Sequence, residues 1–316
     1  MKEGKVPVID THTHIRRYPQ DVSEKWAEKI TDSLADIPYW RDPSRKWRKE
    51  DLDSPYEDNL EDMDRNGVDR SILLGSYIKE PSHPEAGWAH TSNDYIAEAQ
   101  NKHPDRFIGF ASIDPRGGDR AVREIDRAIN ELGLKGIGEL TLAYCGIALD
   151  DEILDPIYKR CEELARERGI PLSIHTGFTF LPWTYMEKQD PALLWHVLEK
   201  FPELKISVDH AGLGGTWDKA LHLAVNWPNI YLDFTFLRST YPPFKIMEFL
   251  QHAKWAGILD RCLWGTDYPW APRKVELGMY RSFPAETQKL GVEPVLTKVD
   301  IEAFLGGNAE KFLGLK

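Results

Sequence analysis

Residues 8–14, with the sequence VIDTHTH, form an apolar run that ends in two histidines one residue apart. In a β-strand successive side chains point to opposite faces, so His12 and His14 share a face. Two neighbouring imidazoles at a strand end form half of a divalent-metal site. The stretch therefore predicts a metal centre, provided that other strand ends supply the remaining ligands.

The composition indicates a globular enzyme-sized protein with a large core. The chain has 316 residues, of which 41% are hydrophobic and 29% charged, and its formal net charge is −11. We expect a single domain over residues 1–316. The negative charge argues against a nucleic-acid or membrane surface, and no apolar run reaches the roughly 18 residues of a membrane span.

Cysteine usage bears on the compartment. Cys145, Cys161 and Cys262 are scattered and odd in number, which suits a reducing environment. The N-terminal residues lack the apolar core of a signal peptide. We therefore expect a cytoplasmic protein that binds a small molecule, and we leave open that it forms a homodimer.

Strand-like and helix-like patterns alternate along the chain. The predicted strands are 8–14, 70–75, 106–112, 135–139, 170–175, 205–210, 230–234 and 261–267. Eight strands that are each followed by a helical pattern predict an α/β fold, a distorted (β/α)8 TIM barrel. Residues 16–54 are too long for an ordinary connection, so they predict an insertion, or lid loop, after strand 1. An open doubly wound sheet is the alternative, but no G-x-G-x-x-G turn follows a strand.

Metal-type ligands occur where several of these strands end. Besides His12 and His14, the strand ends carry Glu139, His175, His210 and Asp267. In a parallel barrel the C-terminal strand ends form one face, so we expect these side chains to converge. Imidazole and carboxylate ligands favour zinc, with manganese, iron or cobalt as alternatives. Asp267 could accept a proton, and His210 could stabilise developing negative charge.

The ordered motifs resemble those of the amidohydrolase superfamily, in its amidohydrolase-related (amidohydrolase 2) branch of hydrolases and decarboxylases. The matching segments are 9–14 (IDTHTH), 174–177 (IHTG), 208–212 (VDHAG), 263–269 (LWGTDYP) and 307–314 (GNAEKFLG). The resemblance implies that His12, His14, His175 and Asp267 bind the metal. Glu139 is a departure, since a glutamate here bridges two metals in a related branch. We expect one ion, and with two ions Glu139 and His210 would also be ligands.

Fold and ligands alone leave the reaction open. We expect a hydrolase that uses metal-activated water to cleave an amide, ester or lactone. Non-oxidative decarboxylation of an aromatic or enol acid is the alternative, and a non-catalytic metal-binding barrel is the second. Phe178 and Trp270 lie in loops that would surround the metal, and Arg238 and Arg273 could bind a substrate carboxylate.

Overall fold

The computed structural model describes residues 5–35, 47–179, 181 and 184–315, and its main feature is an eight-stranded parallel sheet. In the described part of the chain the strands are β1 (Ile9–Thr13), β2 (Arg70–Leu74), β3 (Tyr77–Lys79), β4 (Trp88–His90), β5 (Phe107–Ala111), β6 (Gly136–Leu140), β7 (Leu172–His175), β8 (Ile206–Asp209), β9 (Ile230–Asp233) and β10 (Cys262–Leu263). The sheet order is β1-β2-β5-β6-β7-β8-β9-β10, with every pair parallel.

Helices surround the sheet and alternate with its strands. The described helices are α1 (Glu24–Ala35), α2 (Tyr56–Asn66), α3 (Asn93–Lys102), α4 (Asp119–Asn130), α5 (Asp155–Arg168), α6 (Leu194–Lys200), α7 (Trp217–Asn226), α8 (Pro243–Trp255), α9 (Arg273–Leu290), α10 (Lys298–Glu302) and α11 (Asn308–Leu313). Among these described helices, none is both long and apolar enough to cross a membrane.

The barrel closes along a seam between β1 and the segment that follows β10. Thr11 N donates to the Trp264 carbonyl at 3.0 Å, and His14 N donates to the Tyr268 carbonyl at 2.8 Å. β10 is only two residues long, so these hydrogen bonds extend the pairing beyond the strand itself. The predicted (β/α)8 barrel is confirmed, although the predicted eighth strand, 261–267, is mostly a loop.

Alternation along the strands separates a hydrophobic layer from a polar interior. In β7, Leu172 and Ile174 belong to the hydrophobic core shared with the helices. Ser173 and His175 have the opposite orientation and bond to carboxylates inside the barrel. This two-residue period delivers functional side chains to the interior while the outer face packs against helices.

The insertion after β1 forms part of a cap over the mouth of the barrel. α1 packs through Trp26 and Ile30 in a separate hydrophobic cluster that also contains Ile78 of β3 and Trp270. β3 and β4 pair as an antiparallel hairpin, which sequence reasoning did not predict. Residues 36–46 of the predicted 16–54 insertion lie outside the described residues.

Candidate metal centre

His12 of β1 and His14, which follows the strand, lie with their Nε2 atoms 3.2 Å apart. His14 Nδ1 donates to the Leu74 carbonyl at 3.1 Å, so its Nε2 lone pair faces the site. Asp267 Oδ1 lies 3.3 Å from His14 Nε2 and 3.9 Å from His12 Nε2. Two imidazole nitrogens and a carboxylate oxygen therefore converge, a donor set that suits a divalent ion.

The backbone is unusual at two of the predicted site residues. Asp267 has φ 61° and His210 has φ 56°, both in the left-handed region that side chains other than glycine seldom adopt. The Asp267 N–H donates to the His12 carbonyl at 2.8 Å, which holds the turn against β1. Such conformations cost on the order of 1–3 kcal/mol and concentrate at functional sites.

Glu139, at the C-terminal end of β6, lies at the centre of the histidines. Its Oε1 is 2.7 Å from His175 Nδ1 and 3.4 Å from His210 Nε2. The same oxygen is 3.8 Å from His12 Nε2, and Oε2 is 3.6 Å from His14 Nε2. The structure thus brings together all six predicted ligand candidates, with Glu139 among them rather than at the edge.

The fit to a metal ion rests on unpaired donor atoms. His175 Nε2 is buried and has no hydrogen-bond partner among the described residues. His210 Nδ1 donates to the Thr235 carbonyl at 3.1 Å, so Nε2 is the nitrogen that faces Glu139. Three groups with suitable ligand spacing share His12. The first adds His14 and Asp267, the second adds Glu139 and His210, and the third adds Asp209 and Asp233. The residues therefore fit a divalent ion, and the carboxylate oxygens of Glu139 are additional ligand atoms for a second ion.

Two histidines of the site, His12 and His210, have pKa values that are shifted in opposite directions. Burial is the largest cause that lowers the pKa of His12, to about 3, although Glu139 opposes it, so this imidazole is neutral and able to act as a ligand. Burial also lowers the pKa of His210, but hydrogen bonding and charge from Glu139 and the charge of Asp267 outweigh it and raise the value to about 9. Burial raises the pKa of Asp267, but the hydrogen bond from His14 and the charges of the neighbouring histidines lower it by more. The carboxylate therefore stays ionised.

Two further carboxylates lie behind His12, and sequence reasoning assigned them no role. Asp209 Oδ2 is 3.8 Å from His12 Nδ1, and Asp209 Oδ1 accepts from Ser207 Oγ at 2.6 Å. Asp233 accepts from Thr11 Oγ1 at 2.6 Å, and burial raises its pKa to about 6. Asp209 directly precedes His210 at a predicted strand end, so its position in the motif was the available signal.

Arg273 requires a correction, because it does not face the substrate cavity. Its guanidinium is fully buried, and Nε donates to Asp10 Oδ2 at 2.9 Å while Nη2 donates to Asn59 Oδ1 at 2.7 Å. Asp10 in turn accepts from Thr266 N at 3.0 Å, so Arg273 supports the loop that carries Asp267. The prediction that Arg273 binds a substrate carboxylate is wrong, because its guanidinium is buried among these residues and not in the cavity.

An open cavity of about 620 Å³, counting its mouth, leads from the cap to the ligand cluster. Phe178 and Trp270 line it, as expected, whereas Arg238 is not among its described lining residues. Arg16 does line it, and sequence reasoning missed this residue. Arg16 lies two positions after His14 on the same face, and that spacing was the available signal.

Comparison with known proteins bears on the reaction. The 2-amino-3-carboxymuconate-6-semialdehyde decarboxylase of Dictyostelium discoideum is 26% identical over 289 residues, which are 81% of this chain and 76% of the relative. The gamma-resorcylate decarboxylase of a Polaromonas species is 25% identical over 264 residues, 80% of this chain and 73% of the relative. These names contradict the prediction of hydrolysis and favour its decarboxylase alternative.

Solved structures support the fold. An uncharacterised TIM-barrel protein from Bordetella bronchiseptica superposes with a TM-score of 0.71 at 24% identity, covering 98% of each chain. The 5-carboxyvanillate decarboxylase of Novosphingobium aromaticivorans gives a TM-score of 0.63 at 21% identity, covering 99% of this chain and 97% of that one.

The family relationship extends over nearly the whole chain. The family model described as amidohydrolase matches residues 9–315, from β1 to the residue after α11 and its glycine cap. The matched range contains every one of the converging metal-type ligands and both sides of the barrel seam. The chain belongs to the amidohydrolase family.

Proposed function

We propose that this protein is a metal-dependent, non-oxidative decarboxylase of a small planar carboxylic acid. The observation that carries the proposal is the match, over 81% of the chain, to a relative named as a decarboxylase. The site supports it, since the ligand cluster opens into a cavity walled by Phe178, Phe236 and Trp270. Aromatic walls suit a ring or conjugated substrate.

The ion would be held by His12, His14, His175 and Asp267, and Glu139 and His210 would join the donor set if a second ion binds. A divalent ion supplies Lewis acidity and a fixed positive charge for anionic substrate oxygens. The related 5-carboxyvanillate decarboxylase structure is described with manganese bound. We therefore propose manganese or zinc.

The reaction breaks the bond between the carboxylate carbon and the adjacent substrate carbon. A proton first adds to the substrate carbon that bears the carboxylate, and the new C–H bond uses a π pair of the ring or enol. The bond to the carboxylate then breaks, its electron pair restores the π system, and carbon dioxide leaves. The proton for this carbon must come from the protein. We assign its delivery to His210 Nε2, because His210 Nδ1 is engaged by the Thr235 carbonyl and Nε2 lies beside Glu139 at 3.4 Å. His210 then regains a proton from solvent.

The test measures carbon dioxide release from a panel of phenolic and conjugated acids by the manganese- and zinc-loaded protein. We expect release from at least one acid, and we expect His210→Gln to lower kcat by about 100-fold or more. The matched control is His196→Gln, which removes an exposed histidine of α6. Acid production from esters, amides or lactones without carbon dioxide release from any acid would overturn the proposal.

A further inference from the structure

Arg16 is a buried cation whose position is fixed by the cap. Its backbone N–H donates to the Ser54 carbonyl, and its carbonyl accepts from Ser54 N, each at 3.0 Å. The guanidinium carbon lies 4.8 Å from the centre of the Trp270 ring and 5.8 Å from that of Trp26. The residue is 6% exposed. Ring faces on two sides therefore hold the guanidinium in one place.

The guanidinium has unused hydrogen-bonding capacity. Arg16 Nη1 is buried and, among the residues that the structure describes, has no hydrogen-bond partner. Arg273, the other fully enclosed arginine of this region, differs because its nitrogens donate to Asp10, Asn59 and Asp62. An unsatisfied buried donor is costly, and a charged one more so. Arg16 lines the same cavity as His14 and Asp267, so a ligand there can supply the missing acceptor.

The charge of Arg16 is retained although the group is buried. An arginine guanidinium keeps its proton in proteins, even where it is buried. The group therefore stays protonated near neutral pH. Asp21 is already engaged by Arg17, which donates to both of its oxygens at 3.0 and 2.8 Å. An anionic ligand thus meets a charged guanidinium with a free N–H.

We propose that Arg16 binds a second anionic group of the substrate, a carboxylate that is not the one lost as carbon dioxide. This rests on the proposed decarboxylation. An ion pair to the departing carboxylate would weaken as that group becomes neutral carbon dioxide, so it would stabilise the ground state more than the transition state. An ion pair to a retained carboxylate keeps its strength throughout. The substrate class is therefore a planar dicarboxylic acid.

The cavity walls agree with that class of substrate. Trp26 and Ile30 of α1 line the cavity on the cap side, and Phe236 and Trp270 line it from the barrel loops. A flat conjugated skeleton can lie among these side chains with one carboxylate toward the ion that His14 and Asp267 would hold. Its other carboxylate would then accept from Arg16. The two anionic ends of the ligand would meet two separate positive features of one cavity.

The experiment measures binding by calorimetry to the manganese-loaded protein, with isophthalate and benzoate as probes. We expect isophthalate to bind at least about 10-fold more tightly than benzoate, as a charge-assisted hydrogen bond implies. Arg16→Gln should remove this preference while benzoate affinity stays the same, and Arg16→Lys should keep part of it. Arg17→Gln is the matched control, because this neighbouring arginine is partly exposed and should leave the preference intact.

The outcomes separate this inference from the decarboxylase proposal. Equal affinity of the wild-type protein for the two probes would overturn the role of Arg16, even where Arg16→Gln does not fold. A preference that survives Arg16→Gln but is lost in Arg238→Gln would also overturn it. Failure of carbon dioxide release with the probe preference intact would instead remove the reaction and leave Arg16 as a dicarboxylate-binding residue.

Discussion

Replacing Arg273 with methionine should strongly destabilise the barrel. The guanidinium has no solvent exposure and donates to Asp10 at 2.9 Å, to Asn59 at 2.7 Å and to Asp62 at 2.9 Å. Asp10 is itself fully buried, and burial raises its pKa against the charge of Arg273. Removing the cation leaves a buried carboxylate without a counter-charge, which costs about 3–5 kcal/mol.

The assay is thermal unfolding of the metal-loaded protein followed by circular dichroism. Unfolding of 316 residues carries an entropy of roughly 0.7 kcal/mol/K, so a loss of about 4 kcal/mol lowers Tm by about 6 °C. The control Arg166→Met breaks an exposed pair with Glu203 and should cost no more than about 1 kcal/mol. Adding Asp10→Asn to Arg273→Met should restore part of the loss.

The same network connects Arg273 to the metal centre. Asp10 accepts from Thr266 N at 3.0 Å and from Thr266 Oγ1 at 2.6 Å, and Asp267 follows directly. We therefore expect Arg273→Met to weaken manganese binding about 10- to 100-fold, as the loss of an outer-shell contact does. A Tm and a metal affinity that both match the wild-type protein would refute the assignment of Arg273 as the support of this loop.

Three further predictions concern the ion and the tight packing around it. Manganese at about 100 times its Kd should add about 2.7 kcal/mol to the free energy of unfolding. A Tm that changes with neither manganese nor a chelator would contradict the proposed metal site. His14→Ala should lower bound metal per chain, measured by elemental analysis, with the circular dichroism spectrum unchanged. Gly265→Ala should lower the stability by about 1–3 kcal/mol, because its Cβ would lie 2.1 Å from Thr235 Oγ1. The control Gly278→Ala has open space around the new Cβ and should not lower the stability. Equal Tm values for the two variants would contradict this packing argument.

The barrel could be predicted from the sequence because local patterns and topology agree. Buried strands that alternate with amphipathic helices are compatible with few fold topologies. Parallel strands in such a fold bring their C-terminal ends to one face. The β3–β4 hairpin escaped prediction because each strand has only three residues and Pro81, Pro84 and Gly87 interrupt the segment. The predicted eighth strand was too long because the apolar run 262–264 leads into a turn that is fixed by tertiary hydrogen bonds.

The choice between arginines could not be made from the sequence. Arg16 and Arg273 are chemically identical, and only the folded environment distinguishes a guanidinium surrounded by acceptors from one with a free N–H. Glu139 was recognised as a candidate, but its contacts with four histidines depend on the register of β6 against β7. The reaction was predicted wrongly because hydrolases and decarboxylases of one fold share the same metal-type ligands.

Because the barrel closes at the seam between β1 and the end of β10, binding of the proposed metal ion would indicate that the barrel has closed. His12 and His14 lie at the end of the first strand and Asp267 lies in the loop after the last, and their backbones meet only where the barrel closes. A nascent chain holds the histidine pair long before its aspartate partner is synthesised. The proposed set of ligands can therefore form only when the two ends of the polypeptide have met. With these ligands, ion binding would mark the completion of folding rather than its start.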